Sequence, residues 1–220
     1  MQMDARVRTI QLSTEFIEKG DPLGWFEQLY ATADGDPDTV PWAHLTPNPV
    51  LIEWLDGHQI QGEGRSAIVV GCGLGDDAEE LAKRGFRVTA FDISQTAIAW
   101  CQHRFPNSSV TYCVADLFAI PEAWQHNFEF VLESYTIQAM PPDVRAQAIP
   151  KIADLVAESG KLLVICRGRE PEQPLTTVPF PLTQEELTGF KQAELNEINF
   201  EDFFDQENSP VRRFRVLYDR

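Results

Sequence analysis

The feature that most constrains this chain is a glycine-spaced turn set between a short apolar run and an amphipathic one. Ala67 to Val70 are apolar throughout, as in a parallel strand covered on both faces. They run into Gly71, Gly73 and Gly75, and then into a stretch that sets Ala78, Leu81 and Ala82 on one helical face. Gly85 stands where that helix needs a C-cap. Glycine is required where the backbone takes positive φ, or where a ligand approaches without meeting a Cβ. The helix start behind the turn offers unpaired N–H groups and a partial positive charge. Seventeen residues past Gly75, Arg87 to Asp92 reads as a second strand ending in a carboxylate. A carboxylate there can accept both hydroxyls of a ribose. The succession points to a nucleoside site; a turn that only reverses the chain is the alternative.

Asp76 and Asp77 narrow the ligand. A dinucleotide fingerprint wants a small residue where Asp76 stands, and a pyrophosphate would meet two acids. A zwitterion carrying an ammonium would not be repelled. The whole chain is acidic: 18 Lys and Arg face 34 Asp and Glu among 220 residues, a net charge of −16. Such a field excludes nucleic acid and anionic membranes as partners. No apolar run approaches the ~20 residues of a membrane span, and Met1 to Ile10 is polar and charged rather than a leader. Cys72, Cys101, Cys113 and Cys166 form no C-x-x-C. They read as reduced core cysteines of a cytoplasmic protein, with no metal framework. The length suits one α/β domain.

Upstream, Leu12 to Lys19 reads as a short helix with Ser13 or Thr14 near its start. Trp25, Tyr30 and Trp42 follow in a loop-rich segment; they either pack as core or close over an adenosyl group. Val50 to Leu55 starts another helix. Downstream, Ser94 caps a helix over Gln95 to Arg104, and Val110 to Val114 forms a third strand. Asp116, just past it, either caps the next turn or reads an adenine amine. Phe128 to Glu133 is the fourth strand, and ligands of open α/β sheets sit outside such carboxyl ends. Glu133, Ser134, Tyr135 and Gln138 therefore fall where transfer chemistry occurs. A helix is expected from Asp143 through Ala157, kinked or broken by Pro150. Gly160 then turns into a fifth strand, Lys161 to Cys166. The proline-bearing loop Arg167 to Pro181 suits a rim or lid. Thr183 and Glu186 form a capping box for a helix starting at Gln184. Ala193 to Asn199 and Val211 to Tyr218 read as antiparallel strands joined by an acidic connection.

In combination, Val70-Gly-Cys-Gly-Leu-Gly-Asp-Asp77, Phe91-Asp-Ile-Ser94, Ala115-Asp116 and Gly160-Lys-Leu-Leu-Val164 resemble the class I S-adenosylmethionine-dependent methyltransferases. Trp25 and Val40-Pro-Trp42 look more like the thiopurine, thiol and halide branch of that family. The resemblance implies a doubly wound, Rossmann-like α/β fold: a seven-stranded, mostly parallel sheet with an antiparallel last strand and helices on both faces. It implies one domain over 1–220, with a cap at 1–60, a cofactor core at 66–167, and a rim and strand pair at 168–220. Around S-adenosylmethionine it implies Gly71, Cys72, Gly73 and Gly75 at the turn, Asp92 and Ile93 at the ribose, and Ala115, Asp116 and Leu117 at the adenine. Glu133 and Ser134, with Trp25 and Trp42 from the cap, complete the set. The implied reaction is methyl transfer to a small-molecule acceptor at sulfur, halide or oxygen. A hydroxyl acceptor would need a base, for which Glu133 and Tyr135 are the candidates. The family's D/N-P-P-Y/F motif of amino-group methylation is absent, Glu133-Ser-Tyr-Thr136 standing in its place. A nicotinamide-dependent oxidoreductase and a non-catalytic methyltransferase-like binding domain are the competing readings. The sequence carries no signal of oligomeric state.

Overall fold

A computed structural model of the chain describes residues 4–206 and 209–220. Seven strands form one sheet: β1 (Ser66–Val70), β2 (Arg87–Asp92), β3 (Thr111–Val114), β4 (Phe128–Ser134), β5 (Val156–Arg167), β6 (Asn196–Phe204) and β7 (Arg212–Asp219). Their spatial order is β3-β2-β1-β4-β5-β7-β6. β1 to β5 run parallel, and β7 pairs antiparallel with both β5 and β6. This is the doubly wound sheet that the sequence implies. The order reverses between β2 and β4 on either side of β1, so the crevice opens at the carboxyl end of β1.

The helices are α1 (Ala5–Glu18), α2 (Gly24–Ala33), α3 (Pro49–Gly57), α4 (Asp76–Lys83), α5 (Gln95–Arg104), α6 (Pro142–Ala153), α7 (Gln184–Leu187) and α8 (Gly189–Gln192). Alternation along β1 divides the core. Ile68 and Val70 pack with Ile149 and Ile152 of α6 and Phe190 of α8. Ala67 and Val69 pack with Leu51 and Leu55 of α3 and Ala78 and Leu81 of α4. A third cluster joins Trp25, Leu29 and Tyr30 of α2 to Leu74, Ala97, Val178 and Phe180. The N-terminal segment thus packs over the glycine turn and the proline-bearing loop.

Local signals place several elements closely, Ser94 and the Thr183–Glu186 capping box among them. Three expectations need correction. α1 begins at Ala5, where Asp4 accepts the Arg6 N–H; Ser13 lies inside the helix and bonds back to the Ile10 carbonyl. α6 stops at Ala153, with Pro150 in its last turn rather than at a mid-helix kink. β5 then starts at Val156, and Gly160 lies within it at an irregularity in the β4 register. A Cβ on Gly160 would come 2.8 Å from the Phe128 carbonyl, so close backbone approach requires glycine there. Residues 1–3 of the polar N-terminal stretch, and 207 and 208 of the acidic connection between β6 and β7, lie outside the described residues.

One carboxylate ties the N-terminal segment to the sheet. Glu27 of α2 accepts from the Ser94 hydroxyl at 2.6 Å, the Thr96 hydroxyl at 2.6 Å and the Thr96 N–H at 3.0 Å. It thereby satisfies the start of α5, where a negative charge also suits the helix dipole. Burial pushes the Glu27 carboxyl up, but these bonds from Ser94 and Thr96 prevail and hold it below its usual value. Hydrogen bonds to a charged acceptor are worth about 1.5–3 kcal/mol. Glu27→Ala is expected to lose about that much in urea unfolding and to expose α1 and α2 to limited proteolysis. Unchanged stability and protease resistance would remove the latch.

Candidate active site

A cavity of about 420 Å³ lies at the carboxyl ends of β1, β2 and β4, beneath the N-terminal segment. Its floor is the glycine turn. Gly73 sits at φ +54° and Gly75 at φ +88°, values at which a side chain is strained. A Cβ on Gly73 would stand 3.1 Å from the Tyr30 hydroxyl, and one on Gly75 would strike the Tyr112 hydroxyl at 2.5 Å. The turn therefore has glycine both for its backbone and for the aromatics around it.

Asp92 braces this turn from the end of β2. One carboxylate oxygen accepts the Gly73 N–H and the other the Ser94 N–H, each at 2.9 Å. Each oxygen keeps a second lone pair, and the residue lines the cavity beside Ile93. Burial raises its carboxyl to about 6, against the pull of its backbone bonds. Behind the turn the Cys101 thiol bonds to the Gly73 carbonyl at 3.2 Å. The Cys72 thiol is held well above its usual range, first by its hydrogen bond with Cys101 and then by burial. It remains a protonated packing group.

The two acids after the turn have different fates. Asp76 receives both arms of Arg104 at 2.8 Å, so its charge is balanced within the fold. Asp77 has no cationic partner among the described residues. Its Oδ1 accepts the Asn48 N–H at 2.7 Å, and the Ser134 hydroxyl supports it further. Asn48 in turn donates through Nδ2 to Ser134 at 3.0 Å. Burial raises Asp77 to about 6. This network joins the segment before α3, the start of α4 and the end of β4.

The remaining candidates separate. Ala115, Asp116, Leu117, Ser134 and Tyr135 line the cavity, and Asp116 also caps the Phe118 N–H at 2.9 Å. Trp42 lines it too, its indole N–H donating to the Tyr30 hydroxyl at 2.8 Å. Trp25 does not: it is fully buried, stacked on Phe26 and bonded to the Pro22 carbonyl. Glu133 is also fully buried and outside the cavity lining. Its Oε1 accepts the Thr136 and Ile137 N–H groups at 2.7 and 2.9 Å, and burial lifts its carboxyl to about 7. It braces the loop after β4 and has no access to a substrate proton. That loop holds Tyr135 at φ +66°, with the Arg213 guanidinium 4.9 Å from its ring centroid. Sequence reasoning passed over Glu27, Asn48, Arg6 and Arg213. Asn48 alone carried a local signal, as the cap before Pro49.

Residues 67–160 match the family model described as a methyltransferase domain. The matched stretch runs from β1 into β5 and takes in the glycine turn and Asp92, less than half of the chain. The ubiquinone biosynthesis O-methyltransferase of Stutzerimonas stutzeri strain A1501 is 26% identical over 127 residues, 57% of this chain and 53% of that protein. The chain spans about half the length of the curated relatives it matches. The fold is shared with a structure described as the conversion of a disulfide bond into a thioacetal group during echinomycin biosynthesis. That likeness has a TM-score of 0.70 at 20% identity, over 88% of this chain and 92% of the other. It is shared too with the 1,6-didemethyltoxoflavin-N1-methyltransferase of Burkholderia thailandensis, solved with 1,6-didemethyltoxoflavin and S-adenosylhomocysteine. Here the TM-score is 0.68 at 13% identity, over 100% of this chain and 91% of the other. The family match reaches the methyltransferase class and not its thiopurine, thiol and halide branch. Among the described residues no helix is long and apolar enough to cross a membrane.

Two outcomes follow from these buried carboxylates. Glu133→Ala strands two buried N–H groups and is expected to cost about 2–3 kcal/mol, whereas Glu133→Gln keeps an acceptor oxygen and costs less than about 1 kcal/mol. Equal losses in chemical unfolding would contradict the bracing role. Asp77 and Asp92 near 6 and Glu133 near 7 lie above the roughly 4 of unfolded carboxyls. The folded chain thus binds more protons between about pH 4 and 7, and stability falls as pH rises through that window. The melting temperature is expected to be several degrees higher at pH 5.5 than at pH 8; a lower one would contradict these burial effects.

Proposed function

We propose that this chain transfers a methyl group from S-adenosylmethionine to the oxygen of a small-molecule acceptor. The observation that carries the reading is the glycine turn with Asp92 bonded across it, in a cavity at the sheet's switch point. The residues present fit the cofactor: a cationic nucleoside suits a floor whose lining acids are Asp76, Asp77, Asp92 and Asp116. Asp92 accepts the ribose hydroxyls, and Ala115, Asp116 and Leu117 border the adenine. Asp77, held by Asn48 and Ser134, faces the ammonium end. The bound cofactor supplies a methyl group on a sulfonium, open to in-line attack. Tyr30 and Trp42 exclude water and hold the reacting partners together, the source of most rate in such transfers.

Oxygen as the accepting atom is supported by the O-methyltransferase names of the curated relatives. A hydroxyl must lose its proton, and His44, the imidazole in the lining, takes the role that the buried Glu133 cannot. A sulfur or halide acceptor is the second reading, favoured by the absence of a carboxylate base at the end of β4. The chain acts as one unit over 1–220 in this reading, with 1–60 as cap, 66–167 as cofactor core and 168–220 as rim and strand pair.

Calorimetry with S-adenosylhomocysteine and with NADH separates a methyltransferase from an oxidoreductase. The former ligand is expected to bind and the latter not; binding of NADH alone would overturn the proposal. Asp92→Ala is expected to weaken S-adenosylhomocysteine by about 1.5–3 kcal/mol while the chain stays folded. Methyl transfer to phenols, thiophenols and iodide, read by mass spectrometry, distinguishes the accepting atoms, with phenols expected to turn over. Tight cofactor binding without transfer to any of them would favour a non-catalytic binding domain.

A further inference from the structure

The cavity has an apolar wall that the cofactor reading leaves unused. Leu23 and Phe26 share the first turn of α2, the Phe26 N–H bonding the Leu23 carbonyl at 3.2 Å. Phe26 is stacked on Trp25 with ring centroids 4.0 Å apart, which fixes its ring plane. With Ile10 and Ala139 it packs against the buried cluster that holds Val178. Leu23 packs against the cluster that holds Met140, the residue after Ala139. The start of α2 and the loop after β4 thus meet in one wall, and Ile10, Leu23, Phe26, Ala139, Met140 and Val178 all line the cavity. The polar groups beside this wall are engaged within the fold or face water. The Thr9 hydroxyl donates to the Ala5 carbonyl at 2.9 Å, and Gln138 Oε1 accepts the Arg167 N–H at 2.7 Å. Asp205 accepts from the Arg213 Nε at 2.7 Å, and the Tyr135 ring covers that guanidinium at 4.9 Å. Arg167 is engaged as well. Arg6 is exposed on the first turn of α1, where water screens its charge.

We propose that the methyl acceptor is an uncharged aromatic alcohol whose ring lies against Leu23, Phe26 and Met140. The proposal rests on the methyltransferase reading and adds the substrate class to it. An anion would meet Asp77, Asp92 and Asp116 in the same cavity, within a chain of net charge −16. To gain a buried partner it would have to draw Arg213 away from Asp205. An ammonium would meet Arg167 and Arg213, facing partners in the β5–β7 ladder. Either charge would also exchange water for an apolar wall, a cost that exposed or already engaged partners do not offset. A neutral ring escapes that cost and gains about 25 cal/mol for each Å² of apolar surface it buries. The fixed ring of Phe26 favours a flat aromatic neighbour over a saturated one, and the thioether of Met140 adapts to it.

The test uses the whole chain saturated with S-adenosylhomocysteine and three probes of one skeleton: methyl 4-hydroxybenzoate, 4-hydroxybenzoate and 4-hydroxybenzylamine. By calorimetry the neutral ester is expected to bind about tenfold more tightly than the anion or the amine, a difference of about 1.4 kcal/mol. With S-adenosylmethionine, methyl transfer read by mass spectrometry is expected to follow the same order. 2-Naphthol is expected to bind severalfold more tightly than decahydro-2-naphthol. Phe26→Leu keeps an apolar side chain without the ring; it is expected to remove the naphthol preference and leave S-adenosylhomocysteine affinity nearly unchanged. Leu23→Lys, at a partly exposed position, sets an ammonium in the wall and is expected to shift the preference toward 4-hydroxybenzoate. The anion or the amine binding the wild-type chain as tightly as the ester, or no binding of the ester, would overturn the proposal. So would an unchanged ester preference in a folded Leu23→Lys variant, since the acceptor would then lie elsewhere. A wild-type chain that fails to bind S-adenosylhomocysteine refutes the methyltransferase reading and this proposal with it; one that binds it and prefers the anion overturns this proposal alone.

Discussion

The site depends on one carboxylate bonded across two strand ends. Asp92 closes β2 and accepts the Gly73 N–H from the turn after β1 and the Ser94 N–H at the start of α5. The turn at Gly73 has positive φ and no side chain of its own, so its shape is held from outside. Asp92 supplies that hold, and burial draws its carboxyl up to about 6 as the cost. The same residue sets the start of α5, and Ser94 beside it receives Glu27 from the N-terminal segment. Turn, helix start and cap are therefore positioned through neighbouring atoms at one corner of the sheet.

Elements encoded by local chemistry were legible in the sequence. A four-residue apolar run, spaced glycines, a serine N-cap and a Thr–Glu capping box act within a few residues of themselves, and the elements they specify stand close to where those residues put them. The boundary between α6 and β5 was not legible, because Leu155 to Ala157 continues an apolar pattern that either element satisfies. Side-chain direction decided the rest. Period-two alternation along β4 places Glu133 on the same covered face as Val131, a signal that was present and outweighed by its position at the strand end. Trp25 and Trp42 look equivalent in sequence; helix α2 turns the first into the core of the cap, while the second lies in the lining. Asp76 reads as a charge open to a ligand until Arg104, from the far end of α5, is brought against it. The facing of Arg167 and Arg213 exists only once β7 has paired with β5.

The cavity combines two opposite electrostatic surfaces within a strongly acidic molecule. Asp76, Asp77, Asp92 and Asp116 line it from the ends of β1, β2 and β3, and Arg6, Arg167 and Arg213 from α1, β5 and β7. The N-terminal segment contributes to both: Asn48 reaches Asp77 and Ser134 on the cofactor side, while Arg6 and His44 line the other. Its docking through Glu27 therefore positions residues that line the cavity.

In the function proposed, Asp92 and the glycine turn hold the ribose of S-adenosylmethionine. A crystal structure of the chain with S-adenosylhomocysteine tests it directly. Ribose hydroxyls are expected within hydrogen-bond distance of the Asp92 carboxylate, with adenine beside Asp116 and the turn at Gly73 unmoved. A nucleoside bound elsewhere, or a ribose with no contact to Asp92, would contradict it.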